Sequence, residues 1–297
     1  MEQWSHQAVH KQKTMALRSA LLVPALTAVL IASSATPSPA RAARPGVEAS
    51  LQKSSGAKAP AVSSPEALAL VEMLAERLAS YPKLESWRAR ASSTSTRMTS
   101  DWKPLSIVRT EKVVTVDGPY WSEEILSATD TRGGRTKDIT KDAQKEAAER
   151  AAKQRRSSRE EQKADQRSRG RRGLDMARDE VFPFGPDRRS GYDFALEGSA
   201  ELDGAPVVLL RSRSRVRSDD HLEGLYFVDP STYDVRRAEL TLAKRPAPLK
   251  RMEIVLDFAV LSEGYHMMVK AVMRIHIGVV VKNIRVEAVE AYSEFAF

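Results

Sequence analysis

Histidine is the side chain here with the widest chemical use, and beyond residue 42 it occurs only as His221, His266 and His276. A metal site needs ligands that converge on one point. His266 and His276 are ten residues apart on one predicted strand, which separates them by about 33 Å. We predict that both face solvent. The run 219–223 (DDHLE) has metal-ligand residue types, but consecutive residues in a loop are more typical of a solvated turn.

The sequence also lacks the usual residues of nucleophilic catalysis. It contains no cysteine, which excludes disulfides, thiolate metal sites and cysteine nucleophiles. It contains no G-x-S-x-G, H-E-x-x-H, P-loop or dinucleotide-binding motif, and its serines have no placed histidine with which to form a triad. We therefore predict that the protein is not an enzyme and has no catalytic residues, metal or cofactor.

The N-terminal segment predicts export. Residues 20–32 (ALLVPALTAVLIA) are apolar, follow three basic residues and precede Ala-Arg-Ala at 40–42. A membrane-spanning helix needs about 20 apolar residues, so this order is typical of a secretory signal peptide over 1–42, starting at Met1 or Met15. A membrane anchor or a buried helix is the alternative. We expect a periplasmic or otherwise exported protein that is not integral to the membrane after signal cleavage.

The composition is that of a soluble globular protein with one unusual segment. The 297 residues are 42% hydrophobic and 29% charged, with a net charge of +8, which excludes a polytopic membrane protein and a wholly disordered chain. Residues 132–173 hold 15 basic and 7 acidic residues, so the basic character belongs to that segment. Residues 43–62, rich in Ala, Pro, Ser and Gly, predict a flexible linker.

The remaining chain alternates between apolar and polar residues after one helix. Ser63-Ser64-Pro65-Glu66 predicts a helix start with a capping box on Ser63. Beyond Pro82, about ten alternating strands follow in hairpin succession, which predicts antiparallel pairing. We predict a mainly β (α+β) fold, in which one large curved antiparallel sheet forms a half-barrel covered by the N-terminal helix. We expect a single domain over 63–297, interrupted by a charged helical or disordered insert at 132–173.

Because the strands alternate, one face of the sheet is apolar, and we call it the dry face. The predicted helix is about 24 Å long and is too short to cover all of this face. The rest of the face either encloses an apolar hollow or is packed shut by its own side chains, and both alternatives stay open. Strict alternation places Met267 on the same face as Met273 and Met268 on the opposite face. The candidate residues for binding an apolar ligand are Leu68, Val71, Leu74, Met252, Ile254, Leu256, Phe258, Met267, Val269, Met273 and Ile275.

The insert has no large apolar residue. Residues 140–173 include no Leu, Ile, Val, Met or aromatic side chain, so we expect the segment to bury nothing and its removal to leave the domain folded. It is either a solvated spacer or a contact with an anionic surface. Nucleic acid is not an expected partner, because no aromatic residues are present for base stacking. The candidates for anionic contact are Arg155, Arg156, Arg159, Arg167, Arg169, Arg171 and Arg172.

Several segments together resemble a known family. They are a strand carrying Trp87, the Pro-rich joint 182–186 (FPFGP), the run 223–242 (EGLYFVDPSTYDVRRAELTL) and the closing sequence 292–295 (YSEF). From Pro65 to the C-terminus, outside the insert, the chain resembles the LolA-like group of outer-membrane lipoprotein-sorting proteins and their exported relatives. The resemblance implies a curved half-barrel, closed by helices, whose apolar hollow holds acyl chains.

Two functions remain open from the sequence. The first is an exported, non-catalytic binding protein that holds an acyl chain or a lipoprotein lipid in an apolar concavity. The alternative is an envelope scaffold that carries no lipid and uses its charged insert to meet a protein or an anionic surface. In both cases we expect a monomer.

Overall fold

The computed structural model describes residues 63–82, 84–118, 120–165, 181–219, 221–279 and 282–297. Both the signal peptide and the linker predicted from the sequence lie outside these residues. The described helices are α1 (Pro65–Ser80), α2 (Thr140–Asp165) and α3 (Pro186–Arg189). The strands are β1 (Ser86–Met98), β2 (Pro104–Asp117), β3 (Tyr120–Arg132), β4 (Arg135–Asp138), β5 (Tyr192–Leu202), β6 (Ala205–Ser214), β7 (Leu222–Val228), β8 (Val235–Leu242), β9 (Leu249–Val260), β10 (His266–Val279) and β11 (Lys282–Ala296).

The eleven strands form one antiparallel sheet, which confirms the predicted mainly β fold. The strand order is β4-β3-β2-β1-β11-β10-β9-β8-β7-β6-β5. Each strand therefore pairs with its neighbour in sequence, except that β1 also pairs with β11 and β4 is separated from β5. Because β4 and β5 are the two edges, the chain between Asp138 and Tyr192 connects opposite sides of the sheet.

Helix α1 begins at its predicted residue but with a different cap. The Ser64 hydroxyl accepts a hydrogen bond from the Ala67 backbone N–H at 3.2 Å, whereas the Ser63 hydroxyl accepts one from the N–H of Phe194 in β5 at 2.9 Å. The buried residues of α1 are Ala67, Leu70, Val71 and Leu74. Leu68, which we expected among the residues that bind an apolar ligand, is 42% exposed, because the helix turns Leu70 rather than Leu68 toward the sheet.

The C-terminal end of α1 is attached to the turn between β7 and β8. Arg77 Nε donates to Asp234 Oδ1 at 2.7 Å, and the Tyr81 hydroxyl donates to the same oxygen. The Tyr81 ring stacks on His266 with centroids 5.0 Å apart. Burial raises the pKa of Asp234, but the hydrogen bonds from Arg77 and Tyr81 outweigh it, so its pKa lies below the ordinary value of 3.8.

Helix α2 packs on β3, although the sequence predicted that this segment buries nothing. Ala147 is only 5% exposed and forms a small apolar cluster with Ile125 and Ala128, against which Ile139 and Ala143 also pack. Gln144 Nε2 donates to the carbonyl oxygen of Ile125 at 3.0 Å. The expectation was wrong because it counted only large side chains, and alanine suffices where a helix lies close to a strand.

Removal of the insert would shorten the chain that connects the two edges of the sheet. Val181 lies beside Tyr226 of β7, whose hydroxyl donates to the Val181 carbonyl oxygen at 2.6 Å. From β3 to β7 the sheet has seven strand spacings of about 4.8 Å, or about 34 Å if laid flat. The seven residues 174–180 reach at most about 25 Å. A link that replaces residues 132–173 would have to cover the rest of this span, and the expectation that the domain stays folded without the insert stays a prediction.

A β-bulge in β10 changes which methionine faces the helices. Pairing with β9 runs Met268 to Phe258 and then Lys270 to Asp257, which leaves Val269 without a partner. The extra residue inverts the alternation. Met268 therefore lies on the same face as Met273. It packs against the buried apolar residues under α1 and against those of β1 and β2, whereas Met267 packs against neither group. The predicted faces of Met267 and Met268 were wrong for this reason.

We predict that Met268→Lys lowers the free energy of unfolding by about 2 to 4 kcal/mol, because it places an ammonium group among apolar side chains. Met267→Lys, its neighbour on the other face, should change it by about 0.5 kcal/mol or less. Urea unfolding followed by circular dichroism measures both values. Equal losses in the two variants would contradict the bulge.

We also predict a pH-dependent contribution from Asp234. A carboxyl group whose pKa is lowered on folding stabilises the folded state above its unfolded pKa, and this stabilisation is lost as the pH falls through the lowered value. The stability difference between the wild type and Asp234→Asn should therefore be constant from pH 7 to about pH 5 and should shrink below about pH 4. Urea midpoints at pH 7, 5, 4 and 3 test this. A difference independent of pH would show that Asp234 is not stabilised as a carboxylate.

Packing of α2 on the sheet is tested by two adjacent alanines. Ala147→Asp buries a carboxylate against Ile125 and should destabilise the protein by about 2 kcal/mol. Ala148→Asp places the same side chain on the exposed side of α2 and should cost about 0.5 kcal/mol or less. Thermal melts of the two variants would refute this packing if their midpoints were the same.

Candidate functional site

The face of the sheet covered by α1 and α2, here called the inner face, is divided into two halves. The filled half is the inner face of β5 to β10, which lies under α1. The open half is the inner face of β1, β2, β3 and β11. Met268 packs against the apolar clusters of both halves. The two halves are adjacent also in register, because Ala271 of β10 lies opposite Glu290 of β11.

Two phenylalanines complete the filling of the first half. Phe182 and Phe184, from the Pro-rich joint, are 6% and 0% exposed. The Phe182 ring lies 5.1 Å from that of Phe258, and the Phe184 ring lies 4.9 Å from that of Tyr226. The joint therefore occupies the space between α1 and the strands with the protein's own side chains.

Most of the predicted ligand-binding residues lie in this filled half. Six are buried in its apolar cluster and two pack against it: Val71, Leu74, Met252, Ile254, Leu256 and Met273, followed by Phe258 and Ile275. Leu68, Met267 and Val269 are not members of the cluster. Of the two alternatives for the dry face, packing by its own side chains describes this half.

His266 also belongs to the filled half and does not face solvent as predicted. Its ring stacks on Phe258 at 5.2 Å, and its Nε2 lies 2.9 Å from the carbonyl oxygen of Val235. The bulge at Val269 explains the error, because residues 266 and 268 share the inner face before it. Within the described residues, no group of three or more His, Cys, Asp or Glu side chains could hold a metal ion.

The open half has a floor of small side chains and partly exposed aromatic walls. Ala89, Ala91, Val114 and Val116 are at most 4% exposed. Trp87 lies opposite Val116 in register, and Val116 lies opposite Trp121. The two tryptophans thus flank one valine on the inner face, and both are half-buried. We call Trp87, Trp121, Tyr265, Phe295 and Phe297 the aromatic rim.

The C-terminal strand brings the last aromatic residues to this rim. The register of β11 against β1 shifts between Arg88 and Arg90, and Glu294 has a φ of +52°. Phe295 consequently lies 6.1 Å from Trp87 between ring centroids. Phe297 continues the row, 4.3 Å from Tyr265 and 44% exposed. Partly exposed aromatic groups of this kind often mark binding surfaces.

Next to the rim, the inner face holds a buried cluster of four charges. Lys112 Nζ contacts Glu123 Oε1 and lies 2.7 Å from Glu290 Oε1, although that second approach is not aligned as a hydrogen bond. Arg150 Nη2 of α2 donates to Glu123 Oε2 at 3.0 Å. The side chains of Lys112, Glu123 and Glu290 are at most 6% exposed, and that of Arg150 is 20% exposed. Two cations thus balance two carboxylates.

The protonation states of this cluster follow from its contacts. Burial lowers the pKa of Lys112, but the charges of Glu290 and Glu123 more than compensate, so the pKa is raised and the ammonium group stays charged. Burial, together with the nearby Glu290 charge, raises the pKa of the Tyr292 hydroxyl well above its ordinary value, so it remains neutral.

We did not predict this cluster from the sequence, although the sequence carries a signal for it. Lys112 interrupts the alternating apolar positions that continue at Val114 and Val116, and Glu290 falls between Ala288 and Tyr292 on the inner face. A charged residue at an apolar position of a strand is costly unless it is paired. Two charged residues of opposite sign, each at an apolar position of strands that lie close together, indicate an ion pair.

The predicted anionic-surface residues are only partly covered by the structure. Arg155, Arg156 and Arg159 lie in the second half of α2, and their role stays a prediction. Arg167, Arg169, Arg171 and Arg172 lie outside the described residues. Among the helices that the structure describes, none is long and apolar enough to cross a membrane.

No family model matches the sequence, and no curated protein matches it. Among solved structures, the chain is similar to a LolA superfamily protein from Nitrosomonas europaea, with 13% identity, 78% of this chain and 93% of that one covered, and a TM-score of 0.33. It is also similar to a DUF1329 family protein from Desulfovibrio piger, with 12% identity, 78% and 93% coverage and a TM-score of 0.35. A third similarity is to the MucA/MucB complex of Pseudomonas aeruginosa, with 12% identity, 77% and 94% coverage and a TM-score of 0.24.

The LolA superfamily, which the sequence was found to resemble, is thus represented among the solved structures similar to this chain. The similarity concerns the fold alone.

Proposed function

We propose that the chain is an exported, non-catalytic binding protein that holds the acyl chain of a lipid or of a lipoprotein. The site is the open half of the inner face rather than the filled half. The observation that carries the proposal is the pair of half-buried tryptophans, Trp87 and Trp121, on either side of Val116. Export rests on the signal peptide predicted over residues 1–42.

The shape and chemistry of the open half suit an elongated apolar ligand. Larger side chains, including Trp87, Trp121 and Phe295, pack against the small floor residues Ala89 and Ala91, and an acyl chain would displace these partly exposed rings to contact the floor. Aromatic rings contribute large apolar contact areas with little loss of conformational freedom. The aromatic rim extends along β11 to Phe297, so an acyl chain would have contacts along several strands.

The second candidate is an envelope scaffold without lipid cargo. It is favoured by the filled half, where Phe182, Phe184 and α1 leave the predicted hollow occupied by protein. In that case the rim would contact a protein, and the basic residues of α2 would meet a protein or an anionic surface. Lipid uptake by the purified protein distinguishes the two candidates.

We predict saturable binding of dansyl-labelled undecanoic acid, or of its methyl ester, to delipidated protein, followed by dansyl fluorescence. Trp121→Ala should weaken binding about tenfold, which corresponds to about 1.4 kcal/mol of lost contact. Trp102→Ala removes the same ring from the loop between β1 and β2, where Arg285 stacks on it, and should leave binding unchanged.

Two results would contradict the proposed site. The absence of saturable uptake of both probes by the wild type would favour the scaffold. Equal weakening by Trp121→Ala and Trp102→Ala, with unchanged thermal midpoints, would place the ligand elsewhere.

A further inference from the structure

We infer that the ligand of the open half carries an anionic head group, and that the carboxylate of Glu123 occupies the position of that head group in the structure. This inference rests on the proposed function and specifies its ligand class. It follows from the geometry of the four-charge cluster, from its charge balance and from its position relative to the aromatic rim.

Two cations from different elements converge on Glu123. Lys112 of β2 contacts one carboxylate oxygen, and Arg150 of α2 donates to the other at 3.0 Å. Two donors, one on each oxygen, form the arrangement with which proteins bind carboxylates and phosphates. In the structure the carboxylate of Glu123 accepts from both donors. The carboxylate or phosphate of a ligand could accept from the same two donors in its place.

The charge balance of the cluster selects an anion over a neutral group. Glu290 compensates one of the two cations at 2.7 Å from Lys112. If Glu123 turns away, Arg150 keeps only the half-exposed Glu146 at 3.8 Å. The two cations then share Glu290 as the one buried carboxylate of the cluster, which is unfavourable. An incoming carboxylate or phosphate restores the balance, whereas a hydroxyl group does not.

The cluster lies where the head group of a rim-bound amphiphile would be. Glu123 and Trp121 are two residues apart on β3, and Lys112, Val114 and Val116 follow each other on the inner face of β2. Two residues of a strand span about 6.8 Å. A head group between Lys112 and Arg150 would therefore direct its chain toward Trp87 and Trp121, and the two rings would move aside for the chain to contact the buried Val114 and Val116.

The contacts of α2 permit Arg150 to change partners. Among the side chains of α2 that the structure describes, Ala143 and Ala147 make the apolar contacts to β3, together with Ile139 just before the helix. Arg150 also lies 3.8 Å from Glu146 on its own helix. A slight outward shift of α2 therefore removes little apolar surface from contact.

The experiment measures displacement of the dansyl methyl ester by three competitors with chains of the same length: laurate, dodecyl phosphate and dodecanol. We expect the wild type to bind at least one of the two anions more tightly than dodecanol. In Glu123→Gln, the preferred anion should gain about tenfold in affinity, while dodecanol changes by less than twofold. The two anions distinguish a carboxylate head group from a phosphate head group.

Glu124→Gln is the matched control, because Glu124 is the next residue on β3 and its side chain is 69% exposed and paired with Arg88. It should leave all three affinities unchanged. An anion affinity in Glu123→Gln that equals the wild-type value, or a gain shared by dodecanol, would overturn the inference and leave acyl binding intact. No binding of the methyl ester or of the undecanoic acid to the wild type would instead refute the proposed function itself, and the inference with it.

If Glu123→Gln does not fold, Arg150→Met tests the anionic head group instead. This variant removes only the donor that α2 contributes, and the preference for the anion over dodecanol should fall about tenfold. Lys145→Met removes a charge from an exposed position of the same helix and should leave the preference unchanged. An anion preference that survives Arg150→Met would overturn the inference.

Discussion

The pairing of β1 with β11 determines where every other element lies. It joins the first and the last strand of the domain in the interior of the sheet, with Ala91 opposite Tyr292 and Thr94 opposite Val289. The two runs of sequential hairpins therefore grow outward from this pair, and β4 and β5 become the edges. The chain that connects them has to pass from one edge to the other, and for that reason the inner face receives both α2 and the joint at Phe182.

This arrangement gives the two halves of the inner face different contents. Beneath α1 and the joint, the apolar clusters are continuous and include fully buried rings such as Phe184 and Tyr226. Beneath α2, the contacts involve alanines and one buried ionic cluster. A large apolar contact area stabilises more strongly than a few alanines, so the contacts under α1 stabilise the fold more than the contacts under α2.

The sequence predicted the fold class well because the period-two alternation is local. The run 223–242 holds most of β7, a turn and β8. Gly224 allows these two strands to lie close together, since a Cβ there would stand 2.0 Å from the Glu239 carbonyl oxygen. The candidate site was predicted less well. The single bulge at Val269 exchanged the faces of Met267 and Met268, and no local pattern marks a bulge of this kind.

Other features of the site depend on contacts between distant parts of the chain. Glu123 and Arg150 are 27 residues apart, and Lys112 and Glu290 come from opposite ends of the domain. Their partners become evident only once the strand order is known. The burial of Phe182 and Phe184 in the filled half could not be predicted from the sequence either, because a short Pro-rich segment has no regular alternation of apolar and polar residues.

The two edges of the sheet bear on how the protein behaves at high concentration. An unpaired edge strand is a template for pairing with another copy and so for aggregation. β4 is only four residues long and carries the charged sequence Arg-Thr-Lys-Asp, with every residue exposed. At the other edge, Ser63 takes the outward N–H of Phe194, and the irregular pairing between Leu196 and Ser199 interrupts β5 in its middle. Both ends of the eleven-stranded sheet are thus poor templates, which lowers the tendency of the folded chain to aggregate by pairing of edge strands.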